Sequence, residues 1–401
     1  MTAMNRTAFR LVVCALALVA PRAGAEDGKA GAPGAPAQAP VSGITAIGDV
    51  HGDFKTFHAL LVRAGLIDRE GRWTGGKRHL VQTGDLLDRG PASRQILELL
   101  MRLEGEAEAE GGRVTVLLGN HEVMNVVGDL RYVTAEEFTA FARDEDRGER
   151  ARRQVSILSL ARTGSPLLKS SYYRELHRFL DLATLDRVFP PGFFGHRAAF
   201  SPAGRYGRWL LGKDTVLLAG KSIFLHGGLS PRYASLEVEE INRQVKEAIL
   251  QYFTLIADLE RRAVFDGMLG YSELLLLLEA EKRAGGPQPD LKETFRQLGG
   301  LLNGILFAED GPLWYRGLAQ LDESLIEADV DRILRFHGAD RIVMGHTQPV
   351  SLAIEARLGG RVILIDTGMN QAVYLGNPAA LVLPPEGGFR VIDLKPRIGN
   401  R

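Results

Sequence analysis

The feature that most constrains the fold is a pattern repeated at wide intervals. A short apolar run stops abruptly at a glycine-bearing turn that carries Asp, Asn or His. Ile44 to Ile47 runs into Gly48-Asp49, His79 to Gln82 into Thr83-Gly84-Asp85, and Val114 to Leu118 into Gly119-Asn120-His121. Later, Ser222 to Leu225 leads into His226-Gly227-Gly228, Arg341 to Met344 into Gly345-His346-Thr347, and Val362 to Ile365 into Asp366-Thr367-Gly368. Runs of this length between turn residues predict strands. Helical spacing intervenes: Phe54, Phe57, Leu60, Leu61 and Ala64 share one face, and Pro91 suits the first turn of a helix through Ile96, Leu99 and Leu100. Strands alternating with helices predict an α/β layered fold, read from the pattern alone as one doubly wound sheet. In such sheets the site forms beyond the carboxyl ends of the strands, so the motif loops are expected to converge there.

Two long stretches separate the motifs. Residues 129–215 read as helical, opening with a capping box of Thr134 and Glu137. Residues 235–335 hold further helices, broken at Gly285-Gly286-Pro287 and Asp310-Gly311-Pro312. Either insertion could cap the site or form a small helical subdomain. The catalytic domain is expected over 44–376, followed by a strand and polar tail over 377–401. The leucine run 274–278 is too short for a membrane span and reads as a buried helix.

The amino terminus predicts export, to a periplasm or outside the cell. Arg6 and Arg10 precede the apolar run Leu11 to Ala20, and Ala23-Gly24-Ala25 offers a cleavage site. An uncleaved anchor is the alternative. Residues 26–43, rich in Gly, Ala and Pro, read as a flexible linker. Cleavage removes three arginines and the only cysteine, Cys14. What remains is 46 basic against 49 acidic residues, a net charge of −3, with no disulfide and no thiolate ligand. The uncleaved chain balances 49 against 49, so its charge gives no argument for nucleic-acid or acidic-membrane partners. No stable membrane insertion is expected after signal removal.

Five motifs carry the chemistry: Gly48-Asp49-Val50-His51-Gly52, Gly84-Asp85-Leu86-Leu87-Asp88-Arg89-Gly90, Gly119-Asn120-His121-Glu122, His226-Gly227-Gly228 and Gly345-His346-Thr347. The glycines let the backbone bend sharply and leave room for an ion. Asp49, His51, Asp85, Asn120, His226 and His346 supply carboxylate, amide oxygen and imidazole, a set suited to zinc, manganese or iron. Six such side chains are too many for one catalytic ion and suit two, with Asp85 as the shared ligand. Two ions held roughly 3.5–4 Å apart activate a bridging hydroxide for in-line attack on phosphorus. His121, supported by Asp88, is the candidate general acid. Arg89 and Arg316 are candidates to grip the phosphate.

In this order the motifs resemble the calcineurin-like metallophosphoesterases, and GDLLDRG followed by GNHE resembles their phosphoprotein phosphatases. Asp310-Gly311-Pro312-Leu313-Trp314-Tyr315-Arg316, with the long insertions, resembles the Shewanella-like protein phosphatase branch. The resemblance spans about residues 44–370. It implies a central β-sandwich flanked by helices, in place of a single doubly wound sheet. It implies that Asp49, His51 and Asp85 hold one metal, and Asp85, Asn120, His226 and His346 the other. It implies phosphorylated protein or peptide substrates, with tyrosine preference within the branch. Gly345-His346-Thr347-Gln348 lacks a second histidine two positions on, which departs from many phosphodiesterases of the superfamily.

Alternatives stay open at this level. The chain could hydrolyse dinucleoside polyphosphates, or bind phosphopeptides through its metals without turnover. Asp88 and Arg89 could form a structural ion pair, Arg316 a surface arginine, and Trp314 and Tyr315 core aromatics. Tyr172, Tyr173 and the Arg-rich stretch 143–153 suit either phosphopeptide steering or a solvated helical face.

Overall fold

A computed structural model describes residues 42–180 and 184–394. The expected signal and nearly all of the linker lie outside the described residues, as does the polar tail from 395 onward.

The strands are β1 (Ile44–Ile47), β2 (His79–Gln82), β3 (Arg113–Val116), β4 (Val216–Ala219), β5 (Ser222–Leu225), β6 (Arg341–Met344), β7 (Glu355–Arg357), β8 (Val362–Leu364), β9 (Ala379–Leu383) and β10 (Arg390–Asp393). They form two five-stranded sheets rather than one, ordered β10-β9-β1-β2-β3 and β4-β5-β6-β8-β7. Each sheet has a parallel triplet, β1 with β2 and β3, and β5 with β6 and β8. Antiparallel strands complete each sheet; β9 pairs directly with β1, so the first sheet includes chain beyond residue 376.

Side chains alternate across each strand. Ala46, Val81, Phe224, Val343 and Ile363 point between the sheets and form a core drawn from both. Their neighbours Ile47 and Leu80 face helices on one outer side, and Ile223, Leu225, Ile342 and Met344 face helices on the other. Strands β1, β2, β5 and β8 are therefore covered on both faces, which is why such strands read as largely apolar runs, while β3 alternates, with Arg113 and Thr115 half-buried. A run covered by helix on both sides looks the same as one covered by helix and sheet. The doubly wound reading fails for that reason, and the β-sandwich flanked by helices is the architecture present.

Helix α1 (Phe54–Arg63) is capped by the Asp53 carboxylate, which accepts the Thr56 amide, and it buries Phe57, Leu60 and Leu61. Helix α2 (Ser93–Ala109) begins beyond Pro91, with Ala92 at its cap, so Pro91 ends the preceding loop instead of opening the helix. Helix α3 (Asn120–Val127) starts a short turn after β3 and stops at Gly128, whose φ of 86° favours glycine.

Helices in the first insertion run Ala135–Thr139, Arg147–Thr163, Tyr172–Phe179, Leu185–Val188, Phe193–Phe200 and Arg205–Leu211; the longest in the second are Val238–Arg261, Gly270–Arg283, Lys292–Leu302 and Glu323–His337. Buried side chains from both, such as Phe141, Phe200, Ile249 and Leu298, share one core with α1 and α2. Thr134 accepts the Glu137 amide, but the Glu137 carboxyl does not reach back; half of the expected capping box forms. Tyr172 and Tyr173 are buried. The leucine run lies on Gly270–Arg283, with Leu274 and Leu277 buried and Leu276 60 % exposed. Among the described residues no helix is long and apolar enough to cross a membrane.

Candidate active site

Both triplets end on the same side of the molecule, and their loops meet. Gly84 (φ 92°) shows what the motif glycines do: a Cβ there would lie 2.3 Å from the Gly119 amide nitrogen. At Gly345 it would lie 2.4 Å from an Asp49 carboxylate oxygen. The glycines thus make room for neighbouring motif loops, where the sequence suggested room for an ion. His51, Asp85, Asp88, Arg89 and His346 all adopt positive φ between 48° and 70°, an uncommon backbone for such residues and one that the packed loops impose.

Asp85 sits at the centre, 1 % exposed. Its Oδ2 lies 3.6 Å from His51 Nε2 and 3.8 Å from His121 Nε2. Its Oδ1 lies 3.3 Å from His226 Nε2 and accepts the His121 amide. Two groups of potential ligands share it, His51-Asp85-His121 and Asp85-His226-His346. Asn120 Oδ1 is 2.9 Å from His226 Nε2, on the second side. Asp49 Oδ2 is 3.9 Å from His51 Nε2, while its Oδ1 accepts the His346 amide. All six sequence-derived ligands are therefore together, and His121 stands as near to Asp85 as His51 does.

The donor set fits cations. His51 Nδ1 donates to the Leu87 carbonyl and His226 Nδ1 to the Thr83 carbonyl, so each ring aims a free Nε2 inward. His226 Nε2 then faces Asn120 Oδ1 at 2.9 Å and His346 Nδ1 at 3.0 Å, a convergence of potential ligand atoms suited to a cation. His346 Nε2 is buried with no hydrogen-bond partner. Burial lowers the pKa of His51 to about 3 and of His346 to about 2, keeping both rings neutral. Burial, Asp366 and Asp85 push Asp49 well above the usual carboxylate range. Burial also opposes ionisation of Asp85, but His226, His121 and His51 outweigh it and hold its pKa well down. A carboxylate held in its charged form is what a shared cation ligand requires.

His121 Nδ1 lies 2.5 Å from Asp88 Oδ2, and both residues are buried. Burial opposes charge on His121, yet Asp85 and Asp88 outweigh it and raise the pKa above its ordinary value. No ion pair joins Asp88 to Arg89 among the described residues. Instead the Arg89 guanidinium lies 4.6 Å from the Tyr132 ring and 5.5 Å from the Tyr374 ring, and its backbone amide donates to the Tyr132 carbonyl. Arg316 is exposed but lines the same cavity, anchored on the His346 carbonyl at 2.7 Å and the Thr347 hydroxyl at 3.1 Å. Trp314 lines the cavity wall, whereas Tyr315 packs on the second core.

Several residues at the site escaped the sequence reading. Glu122, fully buried, accepts the amides of Asp85, Leu86 and Gly119 and so ties the second motif loop to the third. Burial and Asp85 raise its pKa to about 7 against the pull of these donors. Its place in the Gly119-Asn120-His121-Glu122 motif was the available signal. Asn125, one turn along α3 from His121, donates to the second Asp88 oxygen at 2.9 Å. Asp366 lines the cavity after β8, and its strand-end position was a signal. Tyr132 and Tyr374 had none.

The cavity is about 240 Å³ and is lined by Asp49, Asp85, Arg89, His121, Tyr132 and Arg316 among others. Residues 43–349 match the calcineurin-like phosphoesterase family. The chain is 32 % identical to an uncharacterised protein of Schizosaccharomyces pombe over 84 % of this chain and 76 % of that one. It is 28 % identical to Shewanella-like protein phosphatase 2 of Arabidopsis thaliana, covering 88 % and 78 %. Its fold is similar to that of a cold-active protein-tyrosine phosphatase of a psychrophile Shewanella sp., with a TM-score of 0.54 and 23 % identity over 88 % and 81 % of the two chains. The match over most of its length, on a sandwich whose strand ends gather these ligands, makes this chain a member of the calcineurin-like phosphoesterase family.

Proposed function

We propose that this metal-dependent phosphatase works with two cations sharing Asp85, and that it cleaves phosphate monoesters in proteins, preferring phosphotyrosine. The observation that carries the first part is the geometry of Asp85, whose two oxygens face separate groups of donors. His51, with Asp49, serves one cation; Asn120, His226 and His346 serve the other. The mixed oxygen and nitrogen set suits manganese, iron or zinc. When bound, the pair supplies a nucleophile from water near neutral pH and neutralises charge on the phosphoryl oxygens.

The remaining steps belong to the chain's own side chains. Arg89, held between two tyrosine rings, and Arg316, tied to the His346 carbonyl, orient the phosphate through charge-assisted hydrogen bonds. His121 carries a proton at Nε2 for the leaving oxygen, while Asp88 fixes the ring through Nδ1 and Asn125 fixes Asp88. Tyr132, whose ring centre is 5.1 Å from that of His121, gives an aryl leaving group a wall to lie against. The names of the plant relative and of the Shewanella structure support protein substrates and phosphotyrosine respectively. A cavity of about 240 Å³ suits a phosphoryl group with an adjoining ring better than a dinucleoside polyphosphate. Export remains part of the proposal, on the sequence of residues 1–25; a purified mature chain beginning at Met1 would contradict it.

The test is a panel of phosphotyrosine peptides, phosphoserine peptides and a dinucleoside tetraphosphate, given to the metal-loaded protein. The phosphotyrosine peptides should turn over fastest. Fast turnover of the dinucleotide alone would overturn the proposal, and turnover of none with metals bound would favour a binding protein.

A further inference from the structure

We propose that two apolar loops beside the cavity form a docking rim for the polypeptide that flanks the phosphorylated residue of the substrate. The inference rests on the protein-phosphatase reading above and adds to it a class of substrate sequence.

The loops are Pro349–Leu352, following the last histidine motif, and Ala372–Asn377, following β8. The first directly follows a residue lining the cavity, Gln348, and the second contains one, Tyr374. They are neighbours in space. Gly368 lies between them, since a Cβ there would be 2.9 Å from Tyr374 Cβ and 3.5 Å from Gln348 Nε2. Asn377 donates both its backbone amide and its side-chain amide to the Leu352 carbonyl, each at 3.3 Å.

These loops turn large apolar side chains outward. Val350 is 104 % exposed, Leu375 80 % and Val373 44 %. Single exposed apolar residues are ordinary on any surface, but a group gathered at the mouth of a catalytic cavity marks a contact surface. The backbone is held in this state against its preference. Leu352 (φ 49°) and Leu375 (φ 56°) both occupy the left-handed region, which disfavours leucine. The second loop is pinned at each end, with the Tyr374 amide on the Asn370 carbonyl at 2.9 Å and the Gly376 amide on the Gly368 carbonyl at 3.2 Å. A backbone already fixed adds little loop-ordering cost when a partner covers it.

Charge and position select the occupant. Neither segment contains a charged residue, so the rim offers nothing to a second phosphate group. It is continuous with the cavity that takes the phosphoryl group. A peptide whose phosphorylated residue sits in that cavity lays its next residues on this rim, and apolar side chains there would bury Val350, Val373 and Leu375.

The experiment uses the full, metal-loaded protein and the double variant Val350→Ser with Leu375→Asn; asparagine tolerates positive φ, and both sites are exposed, so folding is spared. Three substrates are compared: a phosphotyrosine peptide with Leu and Val flanking the phosphorylated residue, the same peptide with Ser at those places, and p-nitrophenyl phosphate. The variant should lose about tenfold or more in kcat/KM on the apolar-flanked peptide, as expected for two uncovered aliphatic side chains. It should stay within about twofold of wild type on the other two. An equal loss on all three, or no loss on any, would overturn the rim. So would a wild-type dimer that the variant dissolves, because the patch would then be a contact between copies. Absence of p-nitrophenyl phosphate turnover by the wild type would instead overturn the phosphatase reading, and the rim with it.

Discussion

The two sheets contribute unequal halves of the site. Loops after β1, β2 and β3 bring Asp49, His51, Asp85, Asp88, Arg89, Asn120 and His121, the larger share of the site's polar side chains. Loops after β5 and β6 bring His226 and His346, both buried, which present ring nitrogens to the same site. The first half is also the more tightly cross-tied, with Glu122 accepting three amides across its loops and Asp88 held by both His121 and Asn125. Under the proposed mechanism the contrast assigns proton transfer to the first sheet, while the second sheet completes the donor set and closes the sandwich beneath it.

The residue that joins the halves should matter most. Asp85→Asn removes the charge that both donor groups face, so it should abolish turnover and empty both cation positions, measured by phosphatase assay and metal analysis together. His121→Asn tests the first half alone. It should cut kcat by about 10²–10⁴ while both cations stay bound, and equal turnover would remove His121 from the reaction. Asn125→Ala strips one partner from buried Asp88 and should lower kcat by about tenfold with metal content and KM unchanged. A parallel fall in metal content would instead make it a scaffold residue.

The smallest effect concerns how the first insertion sits behind that half. Glu137 is fully buried, and burial followed by Asp88 raises its pKa well above the ordinary value against the pull of the neighbouring Ser93 hydroxyl. A carboxyl with a raised folded-state pKa stabilises the fold below its unfolded pKa near 4.5, and that contribution is lost as pH rises toward the folded pKa. Glu137→Gln removes the loss, so the variant should melt higher than wild type at pH 8, with the gap closing toward pH 4.5. A gap that widens toward acid pH would show that Glu137 is charged in the folded protein.

Much of this was legible in the residues. Strand ends and ligands coincide because an apolar run that stops at Gly-Asp, Gly-Asn or His-Gly announces both at once. What the sequence hid has physical reasons. The second sheet was invisible to periodicity because β5, β6 and β8 are covered on both faces, and only the family resemblance supplied it. Asn125 and Tyr132 were missed because each acts through contacts made far along the chain, with Asp88 and with Arg89. Pro91 misled by two residues, since a proline before a helix and one within its first turn obey the same φ restriction.

The account stands most directly on a pair of cations joined by one carboxylate. Crystals of the metal-loaded protein, with anomalous scattering recorded at the metal edge, would locate them. The prediction is two peaks roughly 3.5–4 Å apart with one Asp85 oxygen on each or between them. A single peak, or two peaks that Asp85 does not touch, would contradict it.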